Sequence, residues 1–257
     1  MHRFHLPPAS CREALLRLDG REAHHALHVL RLRQGERVTV LDGAGTELLC
    51  DVESATKNSL VLRVKEKKFT PAPPCPITLL VAVPKGKLIE SIIQKAVELG
   101  AHRIVPLLTE RVVTQLDDDG AEAKREKWQQ VAIEAIKQCG APWLPQVAAP
   151  QTIAEFLAHG EKIELSLVGS LQTERRHPRE WIQAFQKQHG RLPNSAGAWI
   201  GPEGDFTLEE LKTIEATGAK PVTLGRLTLR VETAAVYCLS FWNYELQSVA
   251  AGGQNQV

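Results

Sequence analysis

Three absences bound this chain. No apolar run approaches the ~20 residues that a membrane span needs, and the opening "MHRFHLPPAS" lacks the apolar core of a signal peptide. No two of the five cysteines (Cys11, Cys50, Cys75, Cys139, Cys238) stand at C-x-x-C spacing, which excludes a zinc ribbon or a dithiol redox motif. An odd, scattered set suits buried free thiols in a reducing compartment. Finally, there is no large excess of one charge: the net charge is +1. These features predict a cytoplasmic protein with no membrane partner.

What is present has an uneven distribution. Residues 1–70 hold 12 Lys/Arg against 9 Asp/Glu and five of the nine histidines. A mildly basic first part fits a surface for phosphates. At 257 residues, the chain is long enough for two domains. The stretch "FTPAPPCP" (69–76) has the stiffness of a spacer, and the boundary is expected there: one domain over 1–70, another over 77–247.

The first part reads as β structure. "ERVTVLDG" (36–43) and "TELLCDVES" (46–54) flank a Gly-Ala-Gly turn, and "SLVLRVKEKK" (59–68) alternates with period two. One helix precedes them, with Ala23, Ala26, Leu27 and Leu30 on a common face. A small β-barrel with one helix is expected.

After the spacer, strands and helices alternate. Strands are expected at 77–83, 103–108, 164–170, 197–201 and 220–225. Helices are expected at 87–100, 120–140, 178–190, 207–218 and 230–247, and the tail from Ala250 reads as disordered. Alternation of this kind predicts a parallel sheet covered by helices on both faces. Three of the strands run into glycine: Val168-Gly169, Ile200-Gly201 and Leu224-Gly225. In open α/β sheets ligands sit beyond the carboxyl ends of the strands. Bare backbone there lets a flat ligand approach closely. Neither a dinucleotide fingerprint nor a Walker A sequence is present, so the pocket suits a nucleoside better than a polyphosphate. His24 and His28 stand four apart, as metal ligands can, but no third ligand is near, and no metal is expected.

The words "WIGPEGDF" (199–206), "LGRLTLRVETAA" (224–235), "KGKLIESIIQKAVELGAHRIVPLLTERVV" (85–113), "EAIKQCG" (134–140) and "HHALHVLRLRQGERV" (24–38) resemble, in order, the motifs of the RsmE-type family of 16S rRNA uridine-N3 methyltransferases. The resemblance covers about residues 3–247. It implies a SPOUT-type α/β domain with a parallel sheet whose C-terminal chain is threaded into a trefoil knot, preceded by a small PUA-like RNA-binding β-barrel. It also implies S-adenosylmethionine as cofactor, a homodimer, and a uridine of the small ribosomal subunit's 16S rRNA as substrate.

Carried over by position, the implied cofactor-binding residues are Val168, Gly169, Ile200, Gly201, Pro202, Glu203, Gly204, Leu224, Gly225, Leu229, Arg230, Thr233 and Ala234. Arg230 and Glu232 are the implied catalytic pair: the arginine stabilises charge on the uracil oxygens, while the glutamate orients it or acts as base. Arg3, Arg31, Arg33, Lys85, Lys87 and Arg111 are candidates for RNA phosphates. The closing helix is apolar almost all round, through Ala234, Ala235, Val236, Tyr237, Leu239, Phe241 and Trp242, and is expected at the two-fold interface. Three positions depart from the family's pattern. Asp205 stands where GPEGG has its last glycine, Arg226-Leu227 where a Pro-Arg pair is common, and Gly140-Ala141 where Gly-Arg is common. Two other readings remain open: a SPOUT methyltransferase for tRNA or 23S rRNA, and a non-catalytic RNA-binding assembly factor.

Overall fold

In a computed structural model the structure describes residues 1–111, 118–171 and 175–247. The expected disordered tail lies outside the described residues. The chain divides into two compact units: Met1–Ala72 with Ile133–Leu144, and Pro73–Ala132 with the remainder from Pro145. The span 77–247, expected as one domain, thus contains a segment that packs with the first unit.

The first unit holds one mixed sheet of five strands, in the order β1-β3-β4-β5-β2. They are β1 (His2–His5), β2 (Leu15–Leu18), β3 (Arg37–Leu41), β4 (Thr46–Ala55) and β5 (Leu60–Phe69). The expected hairpin forms as β3 and β4, paired from Arg37↔Asp51 to Leu41↔Glu47. Its turn is held by Asp42, whose buried carboxylate accepts from the amides of Ala44 and Thr46, both at 2.8 Å. β5 follows antiparallel to β4. The outer strands β1 and β2, each of four residues, fall outside the expected elements. β1 lies parallel to β3 and β2 antiparallel to β5. The expectation was a barrel, but the ladder among the described residues is an open path from β1 to β2. Helix α1 (Gly20–His24) runs into a π-helical turn over His25–Val29. Ala23 and Ala26 from this helical stretch are buried with Phe4, Leu16, Val38, Leu48 and Leu62 in one core cluster.

The second unit is built on a sheet in the order β12-β10-β11-β6-β7-β8, every pair parallel, with β9 also on β7. The strands are β6 (Ile77–Ala82), β7 (Arg103–Leu108), β8 (Gln146–Val147), β9 (Gln151–Thr152), β10 (Leu165–Gly169), β11 (Ala196–Ile200) and β12 (Lys220–Val222). Every residue of β6 and β11 is buried, which is why both read as continuous apolar runs. The helices are α2 (Leu88–Glu98), α3 (Asp118–Cys139), α4 (Ile153–Ala158), α5 (Pro178–His189), α6 (Leu208–Ala216) and α7 (Val231–Trp242). From Ile133 onward, α3 belongs to the first unit. Local rules place the starts of α5 and α6. His177 and Thr207 form capping boxes with Glu180 and Glu210, and Pro178 occupies the first turn of α5. α2 buries Ile89, Ile92, Ile93, Ala96 and Val97 along one stripe. α7 packs on α2, β6 and β11. α4, β8 and β9 were not expected, being too short to carry a period.

Candidate active site

Parallel strands share one carboxyl edge. The loops leaving β10, β11 and β12 there enclose a cleft, and the first turn of α7 closes it. From β10 come Gly169, Ser170 and Leu171. From β11 come Ile200, Gly201, Pro202, Glu203 and Asp205. From β12 and the following loop come Val222, Leu224, Gly225, Leu227, Thr228 and Leu229, and from α7 come Val231 and Ala234. The walls are mostly apolar side chains and backbone. Arg175 adds a cation at the edge, where its Nη1 donates to the Ser170 carbonyl at 3.0 Å.

The structure brings nine of the thirteen expected cofactor residues to this cleft: Gly169, Ile200, Gly201, Pro202, Glu203, Leu224, Gly225, Leu229 and Ala234. Val168 is buried in the sheet behind it. Gly204, Arg230 and Thr233 are exposed beside it and do not line it. Sequence reasoning did not single out Ser170, Leu171, Arg175, Val222 and Val231; it named Asp205 and Leu227 only as departures from the family's pattern and Thr228 only as part of the loop 224–230. The strand-end rule contained the signal for Ser170 and Leu171, which directly follow the glycine of β10.

Two glycines have distinct physical roles. A Cβ on Gly201 would lie 3.0 Å from the Phe206 amide nitrogen and 3.1 Å from its ring. The bare position therefore serves the turn 201–206 folding back on itself, whereas sequence reasoning assigned the space to a ligand. Gly225 has φ +121° and nothing within 4 Å of a Cβ, so backbone conformation is what requires glycine there.

Arg230 is the N-cap of α7, with extended backbone (φ −67°, ψ 157°) and an exposed side chain. Glu232 sits in the first turn, where a carboxylate favours the helix dipole. No ion pair joins the two among the described residues, so the expected orientation of Arg230 by Glu232 is not formed. The extended backbone of Arg230 places it outside the helix that carries Glu232.

The phosphate candidates divide. Arg31, Arg33, Lys85 and Lys87 are exposed. Lys85 and Lys87 follow β6 at the carboxyl edge that also carries the cleft. Arg3 is engaged instead: its Nη1 donates to the carbonyls of Lys137 and Gln138 at 3.3 and 3.0 Å, satisfying the end of α3. Arg111 is engaged too, donating through Nη1 to the carbonyls of Gly204 and, at 3.1 Å, Asp205. Among the described residues no group of three His, Cys, Asp or Glu side chains is placed to hold a metal ion. The rings of His24 and His28 meet at a tilt of 45°, centroids 4.8 Å apart.

A parallel α/β unit with a glycine-looped cleft, on a chain with a small mixed-sheet unit, has clear relatives. The sequence model of an RNA methyltransferase domain matches residues 71–243, and that of an RNA methyltransferase PUA domain matches residues 18–65. These matches define the class. A ribosomal RNA small subunit methyltransferase E of Synechocystis is 34% identical over 253 residues, 96% of this chain and 78% of the relative. The protein of that name from Bacillus subtilis is 30% identical, covering 90% of each chain. A Neisseria gonorrhoeae ribosomal RNA small subunit methyltransferase E, solved bound to S-adenosyl methionine, aligns with a TM-score of 0.81 at 26% identity, covering 95% of this chain and 97% of that one. The chain belongs to the ribosomal RNA small subunit methyltransferase E family.

Proposed function

We propose that the protein transfers a methyl group from S-adenosylmethionine to N3 of a specific uridine in 16S rRNA of the small ribosomal subunit. The observation that carries this reading is the cleft in which the loops 201–205 and 224–229 meet at the carboxyl ends of β11 and β12. Its walls fit the cofactor. Ile200, Val222, Leu224 and Leu229 offer apolar contact for a flat nucleoside and a thioether, and backbone beside Gly201 and Gly225 offers hydrogen bonds to a base edge. Bound there, the cofactor supplies an electrophilic methyl group.

The residues of the chain then place and stabilise. Uracil N3 carries a proton on the Watson–Crick edge, so the target base has to be unpaired or flipped out. As N3 loses that proton, negative charge spreads to O2 and O4. The exposed guanidinium of Arg230, next to the cleft residues Leu229 and Val231, is suited to meet it. Glu232, in the first turn of α7, is the candidate acceptor for the proton. Lys85 and Lys87, on the same edge of the sheet, would hold phosphates and position the strand without reading sequence.

The remaining parts of the reading are architectural. The first unit, with Arg31 and Arg33 exposed, acts as the RNA-binding module, and catalysis belongs to the second unit. The chain after β12 places α7 against α2, β6 and β11, and the trefoil threading of this C-terminal part rests on the family's pattern in 224–235. The exposed Tyr237 on α7 supports a homodimer that completes the cleft. Among the described residues no helix is long and apolar enough to cross a membrane, and we place the protein in the cytoplasm, with its substrate. Incubation of unmethylated small subunits with the protein and labelled cofactor, followed by mass spectrometry of digested 16S rRNA, tests the reading. A methyl group found on tRNA or 23S rRNA instead, or none at all, overturns it.

A further inference from the structure

Asp205 occupies a costly conformation in a buried place. Its φ is +64° and its relative exposure only 9%. The left-handed region disfavours side chains, with aspartate and asparagine the most tolerant after glycine. Both carboxylate oxygens are used. Oδ1 accepts from the Phe206 amide at 2.8 Å, and Oδ2 accepts from the Leu171 amide at 2.8 Å. The Asp205 amide donates to the Pro202 carbonyl at 2.9 Å, closing the turn. Its carbonyl takes a hydrogen bond from Arg111, beyond the end of β7.

The partner at Leu171 matters because of where the sheet stops. β10 and β11 are paired up to Val168↔Trp199, and the loops that follow each strand both line the cleft. Leu171 lines it from the loop after β10, and Ile200, Gly201, Pro202, Glu203 and Asp205 line it from the loop after β11. The Asp205 carboxylate joins the two loops past the point where β10–β11 backbone pairing ends. Charge-assisted hydrogen bonds of this kind are roughly twice as strong as neutral ones.

We infer that Asp205 is a positioning residue: its carboxylate clasps the loop after β10 to the loop after β11 and thereby sets the width of the cofactor cleft. The inference rests on the functional reading above. Where the resembled pattern has glycine, this chain holds the two loops with a side chain. The clasp presents a preformed cleft to the cofactor, so its loss is felt in cofactor affinity.

The test compares wild type with Asp205→Gly, which accepts the same backbone, and Asp205→Asn, which keeps the backbone preference and one good acceptor. Calorimetry with S-adenosylmethionine and steady-state kinetics are the readouts. Asp205→Gly should bind the cofactor about tenfold more weakly, the loss expected for one charge-assisted hydrogen bond. KM for the cofactor should rise with kcat little changed, and Asp205→Asn should fall between. A carboxylate with a merely structural role would lower the unfolding midpoint and leave affinity and KM untouched; that result overturns the clasp. Exchange of the Leu171 amide separates this inference from the functional reading. If wild type binds no cofactor, the functional reading fails, and the clasp stands only if Leu171 is protected in wild type and exposed in Asp205→Gly. Equal protection in both overturns it.

Discussion

The indole Nε1 of Trp242 donates a 3.1 Å hydrogen bond to the carbonyl oxygen of Gly197. The last helix is thereby fixed to β11, the strand whose end forms the cleft wall. Trp242 is fully buried in its own chain, so its expected place at the two-fold interface is corrected: it is a core residue. The apolar excess of α7 is accounted for partly by this internal burial. Tyr237, 40% exposed, is left facing outward.

The proposed homodimer is therefore probed at Tyr237 and not at Trp242. Tyr237→Asp should give monomers with a retained fold in sedimentation velocity, and weaker cofactor binding. Trp242→Phe, which removes the hydrogen bond and some volume, should cost about 1–3 kcal/mol in urea unfolding. A wild-type protein that sediments as a 28.4 kDa monomer at micromolar concentration contradicts the dimer.

Gly201 and Gly225 should fail in different ways. Gly201→Ala forces its Cβ against the Phe206 backbone, so the turn must shift. Cofactor affinity should drop, and the unfolding midpoint with it. Gly225→Ala meets no atom and carries only backbone strain, about 1–3 kcal/mol. Denaturation curves measured with and without cofactor distinguish the two. Unchanged affinity in Gly201→Ala would detach this turn from the cofactor.

Arg230→Ala should lower kcat by about 100-fold, the loss typical of one donor to a developing oxyanion, with cofactor binding near wild type. Arg230 caps α7 through its backbone and uses no side-chain cap, so the helix should survive the change. Single-turnover rates against calorimetric affinity make the comparison. A variant that binds poorly and turns over normally at saturation would reassign Arg230 to binding.

Thiol chemistry should single out Cys139. It is the one exposed cysteine, and the other four are buried. Burial pushes the Cys238 and Cys50 thiols up to about 12 and those of Cys11 and Cys75 to about 11. Thiolate is the reactive form, so a maleimide at pH 7 should add once to the native chain and five times after denaturation. Mass spectrometry counts the adducts, and two or more on the native protein would disprove the packing around the others.

Glu164 should stabilise the protein at neutral pH and cease to do so in acid. Hydrogen bonds from the Arg191 guanidinium, then from the Asn194 amide, hold its carboxyl down at about 2 from an ordinary 4.5. The folded state prefers the ionised form, so this contribution is complete above pH 4.5 and is lost as pH falls towards 2. Glu164→Gln should lower stability at neutral pH and flatten its decline across that window. Urea midpoints from pH 2 to 6 give the comparison. Parallel declines in the two proteins would refute the pairing.

The sequence by itself determined the parts that depend on near neighbours. The apolar strands β6 and β11, the stripe on α2, the cap at Thr207 and the β3–β4 hairpin all follow from spacing within a dozen residues. The strand-end glycines marked the edge of the sheet where the cleft lies, because parallel strands bring their carboxyl ends together. Only the tertiary structure decided what depends on distant partners. β1 and β2 are four-residue strands that exist because β3 and β5 offer an edge. Arg3 caps carbonyls more than 130 residues away, and Asp205 reaches an amide 34 residues before it. A charge in a sequence shows that it must be solvated or paired. Which of the two happens is fixed by the atoms that folding brings to it, and for Arg3, Arg111 and Asp205 those atoms are backbone groups that no side-chain pattern records.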